Sequence, residues 1–531
     1  MAMTDKKKRW LKRFGLCVVV LIVGYFIMGL FYRLPDISTR QRSYMIDDGH
    51  ATKLGQQFGP QVTEHPGETG TLLLQRGRDA FAARALLARL AEKSLDIQYY
   101  MYHQDTVGGL LTYEVLRAAD RGVRVRMLID DIYGNQDENV WVALNAHENI
   151  EVRMWNPWKR GGGKAGRMIQ SVFRAAQIDY RMHAKSFTAD NQAAILGGRN
   201  IGDEYFDADK DVAFADIDVL SIGPPVREVS SEFDSYWNAE HAFPVDILVR
   251  PGTAKDLDAL RSEKDAFHNK QATSDYVQAL DDSDLATGLK DGSLAFSWSE
   301  ARVIHDSPQK EDLKKAGHEE LLISQLAPFI TSAKKSVNIV SPYFVPGDKA
   351  TEALCKLSRD GVDVRILTNS LASNDVSAVH AGYAKYRRKL LRCGVRLFEL
   401  DESLKDREGK MFTWLPGLAK SSLHAKTMVF DGEIMFVGSF NFDKRSLYIN
   451  NEIGLVFHDP ATAGDAAKRF EENVNKVAFE VSFSREGGRE NMHWTGGQGG
   501  PDVVMEEEPY ATTMQKLTVG ILKWLPIESQ L

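Results

Sequence analysis

Cysteine is scarce in this chain, and positive charge is not in surplus. Three cysteines among 531 residues cannot form a disulfide framework, and Cys17 lies in an apolar run. The remaining pair, Cys355 and Cys393, reads as small core residues; a single bridge stays open if the domain sits in an oxidising compartment. No Cys/His cluster has zinc spacing, so no structural metal and no cofactor is expected. A net charge of −7 argues against a dedicated nucleic-acid binder, and no nucleic-acid partner is expected, although a local basic groove stays possible. Apolar residues are not lacking: at 43% of this length they can fill a large core.

Charge is also missing locally. Phe14 to Tyr32 is a run of 19 uncharged residues, preceded by Lys6, Lys7, Lys8, Arg9, Lys12 and Arg13. Such a run is long enough to cross a hydrocarbon core, and the basic cluster should stay cytoplasmic, so the rest of the chain would be exported. A cleaved signal peptide is the rival reading, but Gly29-Leu30-Phe31-Tyr32-Arg33 lacks a small-x-small cleavage pattern. Residues 1–33 are therefore read as a basic tip and transmembrane anchor, and 34–66 as a linker.

The rest of the chain repeats itself. His183-Ala-Lys185 is followed after four residues by Asp190, and His424-Ala-Lys426 likewise by Asp431. Gly197-Gly198-Arg199-Asn200 and Gly438-Ser439-Phe440-Asn441 then follow at the same distance. Upstream, Ser94-Leu95-Asp96-Ile97 matches Ser336-Val337-Asn338-Ile339, and Gly122-Val123-Arg124-Val125-Arg126 matches Gly361-Val362-Asp363-Val364-Arg365. A period this long means two domains and not a solenoid. Helical spacing over Phe81–Leu90 and Leu321–Ile330 alternates with strand-like runs, which predicts two α/β halves, 67–244 and 311–485. Each motif reads as a hairpin that begins at the His-x-Lys, with histidine and lysine on one face. The polar stretch 245–310 is the expected connector, with a helix over Ala254 to Asn269. Residues 486–531 form the tail, and the Gly-rich stretch from about 485 to 502 is expected to be mobile.

The residue types fit phosphodiester chemistry. The phosphorus needs a nucleophile, the leaving alcohol needs a proton, and the phosphoryl oxygens need positive potential. A neutral imidazole can attack and an imidazolium can donate the proton, so His183 and His424 would divide the work. Lys185 and Lys426 would hold the oxygens, with Asn200 and Asn441 donating amide hydrogen bonds. Gly198 and Ser439 are small enough for backbone to approach the phosphate. Asp190 and Asp431 complete the motifs, as structural residues before catalytic ones. The bland alternative is two surface hairpins carrying ordinary histidines.

These motifs resemble the HKD motifs of the phospholipase D superfamily over about 70 to 480. The resemblance implies two pseudo-twofold-related α/β/α-sandwich halves with the site between them, no metal, and a phosphohistidine intermediate, usually on the first motif's histidine. Arg181-Met182-His183, Gly197 to Phe206, Leu367-Thr368-Asn369-Ser370, Val379 to Tyr383 and Leu525-Pro526-Ile527-Glu528 are similar to the cardiolipin synthase C-like bacterial phosphatidyltransferases. This implies transfer of a phosphatidyl unit between phospholipids, with phosphatidylglycerol as the first candidate and phosphatidylethanolamine as the second, at a bacterial inner membrane with the catalytic part periplasmic. Hydrolysis to phosphatidic acid is the alternative; a nuclease, or a scaffold that kept only the fold, is weaker. Glu204 and Glu452 follow the motifs and could orient the imidazoles.

Three further stretches stay open. Asn156 to Arg167, with Trp155 and Trp158 beside several cations, reads as a basic loop touching anionic headgroups or as a solvated loop. His380 and Tyr383 could line a pocket or be structural. Met514 to Leu525 places Leu517, Ile521, Leu522 and Leu525 on one face with Lys516 and Lys523 nearby, for a bilayer or for the catalytic core.

Overall fold

The computed structural model describes residues 13–20, 23–24, 29, 31–133, 136–209, 213–274, 276–278, 283–312, 317–374, 376–403, 422–486, 489–497 and 503–524. Nine strands make the first sheet: β1 Thr69–Leu74, β2 Ser94–Tyr99, β3 Arg124–Asp130, β4 Ile150–Trp155, β5 Ser186–Ala189, β6 Ala193–Gly197, β7 Asp218–Ile222, β8 Ala242–Pro244 and β9 Ser297–Ser299. Ten make the second: β10 Ala301–His305, β11 Ser336–Val340, β12 Asp363–Thr368, β13 Arg396–Leu400, β14 Thr427–Phe430, β15 Ile434–Gly438, β16 Ile453–Phe457, β17 Ala478–Glu486, β18 Arg489–Gly496 and β19 Val504–Met505.

The duplication is visible in the pairing. The first sheet runs β8-β4-β3-β2-β5-β6-β7-β1-β9; the second runs β10-β16-β15-β14-β11-β12-β13-β17-β18-β19. In each, three parallel strands (β2, β3, β4; β11, β12, β13) meet an antiparallel set (β5, β6, β7; β14, β15, β16). Parallel strands need crossover helices, which bury the strands on both faces. Val123, Val125, Met127 and Ile129 enter one core with the helix Thr106–Asp120, while Leu128 enters another on the opposite face. Gly122 (φ +95°) and Gly361 (φ +93°) lie just beyond the helices Thr106–Asp120 and Gly347–Arg359, where a left-handed residue suits a helix end.

The halves meet through a shared core. Leu196 and Val219 of the first pack in one cluster with Val437 and Leu455 of the second, all fully buried. Each such side chain contributes about 1.5–3 kcal/mol. Backbone also crosses the seam: Met182 bridges Asn451, and Ala215 bridges Leu423.

Several expectations need correction. The stretch 34–66 is not only linker: the helix Lys53–Glu64, capped by Thr52, buries Leu54 and Phe58 in the first core. The connector contributes structure to both sides, β9 pairing with β1 and β10 with β16. Part of the stretch expected to be mobile is instead β18, paired along its length with β17, because Val481 and Trp494 are buried. Cys355 and Cys393 are not separate core thiols: they form a disulfide with Cα atoms 5.3 Å apart, joining the helix Gly347–Arg359 to the end of the helix Ser377–Arg392. No helix among the described residues is long and apolar enough to cross a membrane. The expected span 14–32 is helical at 14–20, 23–24, 29 and 31, and its residues 21–22, 25–28 and 30 lie outside the described residues, as do 525–531.

Candidate active site

Each His-x-Lys lies just before a hairpin. Strand β5 follows Lys185 directly and β14 follows Lys426, and residues with positive φ turn each hairpin: Asp190 and Asn191, Asp431 and Gly432. The two aspartates sit at the turn, a strand's length from the histidines. Asp190 accepts backbone hydrogen bonds from Glu92, Lys93 and Ser94 at 2.7–3.1 Å, and Asp431 from Lys334, Lys335 and Ser336 at 2.7–3.0 Å. Their geometry is that of staples holding each hairpin to β2 or β11, and not of groups that reach the reacting atoms.

The histidine ends converge on the seam. The His183 backbone N–H donates to Asn451 of the second half, and that of His424 to Ala215 of the first. The strand ends fix each motif in the same way: Asp130 accepts from Met182 N at 2.9 Å, and Asn369, its counterpart, from Leu423 N at 3.1 Å. Burial pushes the Asp130 carboxyl up to about 7 despite the nearby Arg181.

The carboxylates that orient the imidazoles are exchanged between halves. His183 Nδ1 donates to Glu452 at 2.8 Å, and His424 Nδ1 donates to Asp216 at 2.6 Å. With Nδ1 committed, each Nε2 carries the lone pair. Glu452 is itself held by the hydroxyls of Ser439 (2.5 Å) and Ser446 (2.7 Å). Glu204, expected to share this role, instead sits beside His103 and Tyr133, its carboxyl raised first by burial. Asp216 holds the position assigned to it. The signal was legible: Asp216-Ile217-Asp218-Val219-Leu220 repeats as Glu452-Ile453-Gly454-Leu455-Val456, an acid and an isoleucine leading into matching strands.

Gly198 and Ser439 occupy equivalent places and serve these carboxylates. A Cβ on Gly198 would lie 2.2 Å from Asp216 Oδ1, so only glycine leaves that carboxylate room. The Ser439 hydroxyl donates to Glu452 and does not point free toward a phosphate. Asn200 donates to Tyr205 Oη at 2.9 Å. The Oδ1 atoms of Asn200 and Asn441 are buried without a hydrogen-bond partner among the described residues. Such unmade bonds are costly in a finished core and are common where a ligand completes a site.

Both lysines are buried at 1% exposure. Lys185 Nζ donates to its own motif's His183 carbonyl at 2.5 Å and lies 5.1 Å from the Tyr100 ring. Lys426 Nζ lies 2.7 Å from His424 Nδ1 and 3.0 Å from Nε2. Aromatic edges wall the imidazoles: Tyr100 on His183, Tyr205 and Phe214 on His424. Burial, then the charges of Lys185 and Lys426, hold His183 well below its ordinary value, and burial with Lys426 brings His424 down to about 4. Lys426 acts on both histidines, and Lys185 also acts on His424, so the two motifs share one electrostatic site. Although burial pushes Asp216 up, Lys426 and His424 hold it below the usual carboxylate range; Glu452 is raised, by burial. This arrangement can offer two imidazoles and two buried lysines to one phosphoryl group, burial pushing Lys185 well down as it does both histidines.

A family model described as "Cardiolipin synthase, PLD-like domain" matches residues 86–237 and 326–474, one motif in each. Cardiolipin synthase C of Escherichia coli is 36% identical over 90% of this chain and 99% of its own. The chain belongs to the phospholipase D-like cardiolipin synthase family. A cardiolipin synthase of Geobacillus kaustophilus is 24% identical, covering 75% of this chain and 65% of that one. A solved phosphatidylserine synthase of Haemophilus influenzae, 13% identical, covers 80% of this chain and 91% of that one with a TM-score of 0.49.

Proposed function

We propose that this chain transfers a phosphatidyl group between phospholipids and forms cardiolipin, with His183 as nucleophile and His424 as acid and base. The observation that carries the reading is the exchanged pairing, in which each half supplies one imidazole and orients the other's. His183 Nε2 attacks the phosphorus of a phosphatidylglycerol donor, the bond to the headgroup oxygen breaks, and the imidazolium of His424 protonates the departing glycerol. The acceptor phosphatidylglycerol then gives its headgroup hydroxyl proton to His424 and attacks the phosphohistidine. The P–N bond breaks, cardiolipin leaves, and both imidazoles return to their starting states.

The order of the two histidines is supported by their partners. Asp216 stays a carboxylate at 2.6 Å and favours an imidazolium on His424, while Glu452 is raised and leaves His183 neutral. Burial is the first cause that lowers His424; an anionic phosphodiester between Lys185 and Lys426 offsets the next, the lysine charge, and favours the protonated ring. Asn441 donates its amide N–H groups to the phosphoryl oxygens, and Asn200 the amide hydrogen that Tyr205 does not take.

The uncharged run 14–32 anchors the chain in a bacterial inner membrane with the catalytic part outside the cytoplasm. The Cys355–Cys393 bridge supports that side, since disulfides persist in oxidising compartments. Purified full-length protein incubated with labelled phosphatidylglycerol, with and without phosphatidylethanolamine, tests the reading. Cardiolipin with released glycerol is expected; phosphatidic acid alone would mean that water is the acceptor.

A further inference from the structure

Two helices next to the site expose apolar side chains that no other part of the fold covers among the described residues. Helix Thr513–Leu522 and the turn after it present Met514, Leu517, Ile521 and Trp524, each 57–89% exposed, at spacings of three, four and three residues. That is one continuous helical stripe. The opposite side is docked: Val519 packs on Leu371 and Ala381 of the second half, and Gln515 Nε2 donates to the Leu371 carbonyl at 3.4 Å. The sequence left open whether this segment meets a bilayer or the catalytic core; the structure has Val519 turned to the core and the stripe turned away from it.

The helix Gly163–Phe173 is the second. Met168 and Val172 are 75% and 68% exposed, one turn apart, with Lys164 exposed on the same side. Residues 156–178 contain five basic and no acidic side chains. The end of the uncharged N-terminal run lies against this segment: Lys159 Nζ sits 5.4 Å from the ring of Phe31, itself exposed, and donates to its carbonyl.

Each helix reaches one histidine through a few contacts. Leu371, under the first helix, follows Asn369-Ser370, and Asn369 holds Leu423 beside His424. The loop that leads into the second is held by Asp131, which accepts from Trp158 N at 2.8 Å and from Arg160, and its neighbour Asp130 holds Met182 beside His183. We infer that the helices Gly163–Phe173 and Thr513–Leu522 form a bilayer-contact face that sets the two-histidine seam against an anionic phospholipid surface. The apolar stripes enter the acyl boundary, and the acid-free basic segment faces the headgroups. This rests on the phospholipid reading above and adds where the membrane sits.

The test uses the full chain in a Cys17→Ser background, reconstituted into vesicles containing phosphatidylglycerol. An environment-sensitive fluorophore is attached at Val172→Cys, Ile521→Cys or Lys335→Cys; the last lies at the hairpin end opposite His424. Emission at 172 and 521 should shift to the blue and be quenched severalfold more by acyl-chain spin labels than emission at 335. Equal quenching at all three positions, or none at 172 or at 521, overturns the inference. Cross-linking between copies through Ile521→Cys without lipid quenching also overturns it, by naming a second copy as occupant. The readout needs no turnover. Lipid quenching without cardiolipin formation keeps this face and sinks only the substrate reading.

Discussion

Asp216→Asn removes a charge while leaving a side chain of the same shape in the space that Gly198 leaves open. The Asp216–His424 contact is 2.6 Å and fully buried. Opposite unit charges about 4 Å apart interact by ~4 kcal/mol at an effective dielectric of ~20. A hydrogen bond to a charged group is worth a net ~1.5–3 kcal/mol. Taking about 2–3 kcal/mol as the imidazolium's loss, the step that protonates the leaving alcohol should slow by about 30–150-fold. Asp216 raises His424, so its loss lowers that group further; the pH above which kcat/KM falls should move down. The decisive assay compares leaving groups. With phosphatidylglycerol as donor the full loss is expected. With a p-nitrophenyl phosphatidyl ester, whose phenolate needs no proton, kcat in the first half-reaction should return to within a few-fold of the parent. Glu452→Gln acts on the attacking imidazole, so its loss should persist with both donors. Equal losses for both donors in both variants would refute the division of labour between His183 and His424.

His183→Ala and His424→Ala should each abolish cardiolipin formation while leaving the melting temperature near the parent's, as judged by product chromatography and calorimetry. Gly198→Ala should cut activity at least tenfold, by about 1.4 kcal/mol or more, because its methyl group displaces the Asp216 carboxylate; full activity would show that His424 does not depend on that contact. Reducing Cys355–Cys393 opens a constraint between residues 38 apart and should lower stability by about 3–4 kcal/mol in the chain-entropy model, read as a drop in melting temperature absent from a Cys355→Ser/Cys393→Ser variant. Asp431 has its folded pKa held below 3.8 by backbone N–H groups, although burial opposes this. The stability it contributes is therefore present above the unfolded value and is lost as pH falls through the folded one. Thermal melts from pH 5 to pH 2 should show a smaller acid-induced drop in Asp431→Asn.

What the sequence made legible follows from what repetition preserves. The paired His-x-Lys hairpins, the glycines after two helices and the α/β alternation are local, and each appears twice at nearly one offset. The orienting acids were harder to assign because they are non-local. Glu204 lies closer in sequence to His183 than Asp216 does to His424, yet folding turns it toward His103 and brings Asp216 across 208 residues. Ser439 shows the same limit: a small hydroxyl beside a motif suits a phosphate, and only the fold shows Glu452 opposite it. The disulfide stayed open because cysteine spacing fixes neither compartment nor Cα distance.

The exchange of acids also explains why the site needs the complete pair of halves. If each half oriented its own histidine, the halves could shift against each other and change only the gap across the phosphate. Here a shift of about 1 Å in line with either contact would stretch Glu452–His183 from 2.8 Å to about 3.8 Å, or Asp216–His424 from 2.6 Å to about 3.6 Å, beyond hydrogen-bond range, freeing that ring and its Nδ1 proton. The shared core of Leu196, Val219, Val437 and Leu455 opposes that shift, and so do the backbone bridges Met182–Asn451 and Ala215–Leu423, each one residue from an imidazole. On the proposed mechanism rigidity at the seam is therefore part of the chemistry: the same contacts that join the halves set which nitrogen of each histidine is left to face the phosphorus.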